Sequence, residues 1–355
     1  METTRRHVLG SVGALVALAG CLDGSGANGA NDGAGGSGPP TADRSLPEAY
    51  TAAELRDAIE DGGPPKDGIP SIDDPTFAAA DDAPSTLADG APVFGVELNG
   101  ETKAYPQYIL VWHEIVNDTV GGESVSVTYC PLTGTAQGFY RGDTEFGVSG
   151  RLINANLVMY DRGTDSWWPQ MLARAISGPM EGSYLDEFRV VWTTWKQWRS
   201  THPDTLVLTE DTGHARDYGR DPYGGYNPPR GYYAEDNTLF PPLATDDRFR
   251  PKNVVVGSRT ADGALAVPKT TLREQTVVEG ALGDVPYVTV YDDALDTGYV
   301  YRNPEGRTVT TADGDVVVDG TAHTPAELPL DSQLAFDAMW MAWYGYYPST
   351  VVHDA

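Results

Sequence analysis

The chain has 355 residues and a formal net charge of −27, with 51 aspartates and glutamates against 24 lysines and arginines. A chain of this length can bury a large core in one domain or two. Its charge argues against nucleic acid as a partner, because phosphate groups would be repelled. An acidic surface is typical of proteins that stay soluble in concentrated salt, where repulsion is screened, so the composition predicts a halophilic protein.

The N-terminus has the features of an export signal. Arg5 and Arg6 precede an apolar run over residues 8–19, which is shorter than the roughly 20 residues of a membrane-spanning helix. A charged start, a short apolar middle and small residues at the end predict a signal peptide over residues 1–20, and the paired arginines resemble a twin-arginine signal. Residues 18–21 (Leu-Ala-Gly-Cys) resemble a lipobox, which would lipidate Cys21; the alternative is a plain signal peptide with a chance cysteine.

Residues 21–45 are predicted to form a flexible linker, because the segment is rich in Gly, Ala, Asn, Asp and Ser and has too little apolar surface to fold. Together with lipidated Cys21, this linker would hold the folded part at the extracellular face of the cell membrane. The expected partner is therefore the membrane itself, contacted through the lipid on Cys21.

The elements that follow can be taken in chain order. A helix is predicted over Ala52–Asp61 after the possible cap Thr51, and residues 66–82 are predicted as loop. Asn99 and Gly100 predict the turn of a β-hairpin between residues 93–98 and 103–105. An apolar stretch predicts a buried helix over residues 106–117, and alternation over residues 125–130 predicts a half-buried strand.

A similar order of elements recurs later in the chain. Pro106 corresponds to Pro268, and the pair Trp195 and Trp198 corresponds to Trp340 and Trp343. We therefore expect a β-rich α+β fold of two diverged repeats, each closed by a tryptophan-bearing helix. Residues 46–216 would form the first half, with the candidate site, residues 217–250 a Tyr/Gly/Pro-rich connector, and residues 251–355 a degenerate second half. The alternative is a coincidental similarity between β-hairpins.

Four residues of the first half could carry chemistry. His113 and Glu114 interrupt the apolar stretch, and buried polar groups need partners or a function. With Cys21 lipidated, Cys130 would be the one remaining thiol, which excludes an internal disulfide. Met159 lies in another predicted strand and could supply a thioether. A core histidine, a buried thiol and a core methionine are the structural alternatives.

Several strings of the first half are similar to a known family. They are Tyr-Pro at 105–106, Trp-His-Glu-Ile-Val-Asn-Asp at 112–118, Tyr-Cys-Pro-Leu at 129–132, Phe-Gly-Val-Ser-Gly at 146–150 and Leu-Val-Met-Tyr-Asp-Arg at 157–162. Together they resemble the domain of unknown function 3179, from about residue 68 to the C-terminus. Many members carry a second cysteine where this chain has Thr133, so the resemblance implies no Cys-x-x-Cys pair here. The family implies no established activity.

Four functions stay open from the sequence. His113, Cys130 and Met159 would suit copper, with Glu114, His202 or His214 as a further ligand. Cys130 could instead be a nucleophile with His113 as its base and Glu114 beside them. The third function is binding of a small molecule or glycan in an aromatic cleft, and the fourth is a structural surface protein. The candidate aromatic residues are Trp167, Trp168, Tyr218, Tyr223, Tyr226, Tyr232 and Tyr233.

Overall fold

A computed structural model describes residues 37–312 and 314–354, which belong to one compact unit. The predicted signal peptide, Cys21 and most of the predicted linker lie outside these residues. The linker prediction is wrong for its last part, because Thr41–Ala42 forms a strand paired with Tyr184 and Leu185. Within the described residues the fold is β-rich with five short α-helices, which confirms the α+β class. The helices are α1 (Ala52–Asp57), α2 (Gln107–Leu110), α3 (Trp195–Thr201), α4 (Lys269–Gln275) and α5 (Trp340–Tyr346). None of them is long and apolar enough to cross a membrane.

The strands are short and follow one another closely. Those before residue 250 are β1 (Thr41–Ala42), β2 (Glu60–Asp61), β3 (Phe77–Ala79), β4 (Pro92–Leu98), β5 (Glu101–Pro106), β6 (Ile115–Val120), β7 (Glu123–Cys130), β8 (Thr135–Tyr140), β9 (Phe146–Ile153), β10 (Asn156–Asp161), β11 (Trp167–Pro169), β12 (Tyr184–Leu185), β13 (Glu187–Phe188), β14 (Val191–Thr194), β15 (Leu206–Leu208), β16 (Gly224–Gly225) and β17 (Arg230–Gly231). The later strands are β18 (Val254–Thr260), β19 (Gly263–Pro268), β20 (Val277–Leu282), β21 (Val285–Asp292), β22 (Thr297–Arg302), β23 (Val309–Ala312), β24 (Asp315–Val318), β25 (Thr321–His323), β26 (Asp331–Gln333), β27 (Ala335–Met339) and β28 (Val351–Val352).

Five sheets of four or five strands carry most of the core. The order β14-β4-β5-β15 has two antiparallel pairs and then a parallel one, and the order β27-β18-β19-β28 has the same sequence of pairings. The orders β6-β7-β8-β13 and β20-β21-β22-β26 are antiparallel throughout. The fifth sheet has four strands in the order β11-β10-β9-β2. It lies beside the β6-β7-β8-β13 sheet, through contacts of β6 with β9.

Two tryptophan-bearing helices pack on the sheets. The Nε1 of Trp198 in α3 donates to Thr205 Oγ1 at 2.9 Å, and its ring lies over Gly95 of β4. The Nε1 of Trp343 in α5 donates to Thr350 Oγ1 at the same distance, and its ring lies over a glycine of β18. A Cβ atom on either glycine would overlap the indole, so each helix requires glycine beneath it.

The predicted helix over residues 106–117 is wrong. The helix ends at Leu110, and β6 begins at Ile115 after a turn in which Glu114 has a φ of +59°. The helix and the strand are both buried, so apolar residues occur on every side of each. Their combined sequence therefore has the same pattern as one longer buried helix. The β-branched residues at the start of β6 fit the sheet better than a helix.

Two other predictions need smaller corrections. Helix α1 begins after Thr51 with a capping box, because the Thr51 side chain accepts from the Glu54 amide, but it ends at Asp57 rather than Asp61. The predicted loop over residues 66–82 contains β3. The hairpin at Asn99 and Gly100 is confirmed, with positive φ at both residues.

Buried ion pairs join early and late parts of the chain. Glu187 of β13 accepts from Arg259 of β18 at 2.9 Å, and both side chains are 1% exposed. Arg44 also pairs with Glu187, and Arg259 donates to the carbonyl of Met171. Charges removed from water in this way persist only when they are paired and hydrogen-bonded.

Candidate functional site

His113 is a neutral core histidine in this fold. Its Nδ1 lies 2.8 Å from the carbonyl of Pro70, so that nitrogen donates, and its Nε2 accepts from the hydroxyl of Tyr218 at 2.7 Å. Burial lowers the pKa of His113 to about 4, and the nearby His214 and Arg216 lower it further, against the opposing effect of the Pro70 carbonyl. Both ring nitrogens therefore have partners, and neither partner is Cys130.

Cys130 closes β7 and points into a different cluster from the one around Tyr218. The residue is 1% exposed, and its thiol lies 3.7 Å from the carbonyl of Ala155. Burial, and then the nearby Glu114, raise the pKa of this thiol to about 11. A nucleophilic cysteine needs a lowered pKa and access to solvent, so the geometry gives no support to Cys130 acting as a nucleophile with His113 as its base.

The metal interpretation also gains no support from the geometry. Met159 is fully buried in β10, where its cross-strand partners are Val148 and Trp168. Across residues 37–312 and 314–354, no three His, Cys, Asp or Glu side chains are grouped to hold a metal ion. One ring nitrogen of His113 would also have to leave its present partner.

Glu114 is the predicted residue whose environment stands out. It is 8% exposed and lines a cavity of about 80 Å³ together with aliphatic and aromatic side chains. Burial raises the pKa of its carboxyl group to about 8. The cavity side chains used below are those of Ile69, Leu132, Arg151, Leu157, Tyr223 and Phe240.

Most of the predicted aromatic residues pack inside the protein. Trp168 is fully buried and donates to Asp161, and the hydroxyl of Tyr232 donates to the carbonyl of Leu132 at 2.7 Å. Tyr233 is 7% exposed, and its ring packs edge-to-face with that of Tyr226, with ring centroids 5.0 Å apart. The buried rings of Tyr232 and Tyr233 hold the connector against the sheets rather than forming an open platform.

A larger opening, here called the central cleft, lies between early and late parts of the chain. Its volume is about 300 Å³. The residues that line it are Pro92, Trp192, Thr193, Thr194, Tyr226, Asn227, Pro229, Val254, Lys269, Arg273, Asp296 and Asp337. The sequence predicted one of these, Tyr226, as a binding residue. The others were missed because they come from distant strands, helices and loops that no spacing connects.

Aromatic rings and ion pairs share the lining of the central cleft. The rings of Trp192 and Tyr226 are 4.7 Å apart. Lys269 Nζ lies 2.6 Å from Asp337, and Arg273 Nη2 lies 2.6 Å from Asp296. Burial would raise the pKa of Asp296, but hydrogen bonds from Arg273 and the charge of Lys269 lower it overall, so this carboxylate is ionised. The cleft thus presents paired charges beside an aromatic wall.

Comparison with known proteins gives one match. Neither the curated proteins nor the solved structures contain a significant match to the chain. A family model matches residues 66–350, which is most of the chain and includes both Glu114 and the central cleft. The chain therefore belongs to the family described as "Protein of unknown function (DUF3179)".

Proposed function

We propose that this protein is an exported lipoprotein that binds a small carbohydrate-like molecule in the central cleft. The observation that carries the proposal is the composition of that cleft, which combines an aromatic wall with two ion pairs in about 300 Å³. Clefts of roughly 300–1,000 Å³ with a few placed polar groups are the usual sites for small molecules. A sugar ring offers both an apolar face for Trp192 or Tyr226 and hydroxyls for the charged groups.

Binding is favoured over covalent chemistry by the state of Cys130. Its thiol is buried and protonated, because its pKa is raised to about 11. His113, the base predicted for it, is engaged with Pro70 and Tyr218. The two carboxylates of the cleft are held by cations rather than paired with each other, so they suit hydrogen bonding to hydroxyls.

The proposed location rests on the N-terminal sequence. The run ending at Cys21 resembles a lipobox, and the segment that follows has the composition of a linker. A lipid on Cys21 would hold the folded part outside the cell, with the central cleft open to extracellular molecules. The acidic composition further suggests that this environment is salt-rich.

We also propose that residues 46–216 and 251–355 are diverged copies joined by a connector over residues 217–250. Two observations support this proposal. Two pairs of sheets have matching strand orders, and in each half a tryptophan donates a hydrogen bond to a threonine while its ring lies over a glycine. Glu114 follows α2, Thr276 follows α4, and both residues have positive φ. The carbonyl of Glu114 accepts a hydrogen bond from the amide of Tyr129 in β7, and that of Thr276 accepts one from the amide of Tyr291 in β21. The first copy keeps Glu114, and the second has threonine there.

Binding can be tested by titrating the purified protein with neutral hexoses, N-acetylhexosamines and hexuronic acids. Calorimetry gives the affinity, and tryptophan fluorescence reports on Trp192. We expect one of these classes to bind and Asp296→Asn to weaken that binding about tenfold, since a hydrogen bond to a charged group contributes roughly 1.5–3 kcal/mol. Arg302→Gln is the matched control, because Arg302 forms a similar pair with Asp262 outside the cleft.

Two results would contradict the proposal. One is the absence of heat and fluorescence change with all three classes. The other is binding that Asp296→Asn leaves unchanged, or that Arg302→Gln weakens equally, because the ligand would then contact another part of the surface.

A further inference from the structure

The backbone at Glu114 is held from both sides. Its amide donates to the carbonyl of Leu110 at 2.7 Å, and its carbonyl accepts from the amide of Tyr129 at 2.7 Å. Its φ of +59° lies in the left-handed region, which glycine or asparagine adopts more easily than glutamate. The turn alone therefore gives no reason for glutamate at this position, and the reason must lie in the side chain.

The carboxyl group of Glu114 has no protein partner in the part of the chain that the structure describes. No hydrogen bond or ion pair to it occurs there, although the residue is 8% exposed. An unpaired buried carboxyl group is costly unless something compensates it. The other deeply buried acidic side chains are ion-paired or hydrogen-bonded, as Glu187 is with Arg259 and Asp161 with Trp168.

The cavity beside Glu114 has the size of a small chemical group. Its volume is about 80 Å³, whereas an engineered cavity of about 150 Å³ holds one benzene molecule. Two of its walls are the rings of Tyr223 and Phe240 from the connector, and the rest is mainly aliphatic. The one cation in the lining, Arg151, already pairs with Asp61 at 3.0 Å.

We propose that this cavity binds a compact organic ammonium group, with Glu114 as its counter-ion. Ionised Glu114 supplies the opposite charge; because burial raises its pKa to about 8, binding of the cation at neutral pH releases the proton that the empty site holds. Aromatic faces attract ammonium groups through cation–π interactions. The strongly negative protein also concentrates cations around it. The site is separate from the central cleft, so it would serve an amine-bearing ligand whether or not the cleft binds sugars.

The probes for this site are tetramethylammonium and methylammonium, with tert-butanol as an uncharged compound of similar bulk. Calorimetry with the full mature chain at about pH 9, where Glu114 is ionised and both ammonium ions keep their charge, should detect binding of an ammonium ion and none of tert-butanol. Glu114→Gln should abolish the binding, because it removes the counter-ion while keeping the shape. Phe240→Leu should weaken it by roughly 2- to 30-fold, since a cation–π contact contributes about 0.5–2 kcal/mol.

The control is Glu279→Gln, which removes one exposed carboxylate from β20 and leaves the net charge equal to that of Glu114→Gln. It should bind as the unmodified protein does. The proposal is overturned if tert-butanol binds as well as the ammonium ions, if neither ammonium ion binds, or if both glutamine variants lose binding equally. Circular dichroism of each variant confirms that it is folded before titration.

Discussion

Glu114→Gln should change how the stability of the protein depends on pH. The carboxyl group has a pKa of about 8 in the folded protein against 4.5 for a solvated glutamate. Between these values the folded state holds a proton that the unfolded state has released. The free energy of unfolding therefore falls as pH rises from about 4.5 to about 8, and it changes no further above that range. Glutamine carries no such proton, so the variant loses this contribution to the slope.

The magnitude follows from the difference in pKa. Raising the pKa of this carboxyl group from 4.5 to about 8 changes the free energy of unfolding by about 5 kcal/mol, because a tenfold change in a proton-binding constant is worth about 1.4 kcal/mol. That is comparable to the total stability of many domains, which is roughly 5–15 kcal/mol. Relative to the unmodified protein, the variant should gain this amount between acidic and alkaline pH.

The assay is urea unfolding at constant high ionic strength, followed by fluorescence, at several pH values between about 5 and 9. Urea is preferred because guanidinium would change the ionic strength. Glu279→Gln, at an exposed position, should follow the unmodified protein at every pH. If Glu114→Gln does the same, so that the two stability curves stay parallel, the carboxyl group is not protonated in the folded state and the reasoning is refuted.

Further predictions concern the tether, the surface, the core and the thiol. Cys21→Ser should release the protein from membranes into the soluble fraction after cell fractionation; unchanged retention would reject the lipid anchor. The melting temperature should rise from low to molar KCl, because salt screens the repulsion among the acidic side chains that give the chain its net charge of −27. A melting temperature that does not change with salt would count against a halophilic surface. Gly95→Ala should lower the free energy of unfolding by about 1–3 kcal/mol, because its Cβ would lie 2.2 Å from the Trp198 ring, and Gly90→Ala, whose Cβ would have no neighbour closer than 3.9 Å, serves as comparison. Cys130 should resist alkylation until the protein is unfolded, since it is 1% exposed; rapid labelling of the native protein would contradict this.

Local signals in the sequence were sufficient for several elements. The Asn99–Gly100 turn, the cap at Thr51 and the strand ending at Cys130 each depend on neighbours in the chain, and each has its counterpart in the structure. The prediction that this strand is half-buried is wrong, because residues 125–130 are all buried. The stretch from Pro106 to Asn117 failed because a buried helix and a buried strand share one apolar composition.

The candidate sites were less accessible to sequence reasoning. Glu114 was recognised as unusual, but its separation from His113 depends on a left-handed turn that apolar patterning does not reveal. The central cleft was harder still, because Trp192, Arg273 and Asp337 meet only after the sheets have packed. No periodicity or spacing relates residues so far apart in the chain.

The ion pair between Glu187 and Arg259 has a consequence for a protein in concentrated salt. Dissolved ions weaken attractions only where they can approach the charges. Surface pairs such as Arg302 with Asp262 are open to them, whereas Glu187 and Arg259 are 1% exposed and lie beyond their reach. As ionic strength rises, the attraction within the exposed pairs weakens, whereas the buried pair between β13 and β18 keeps its attraction. This pair would then still hold the early and late parts of the chain together in concentrated salt, where most surface ion pairs are screened.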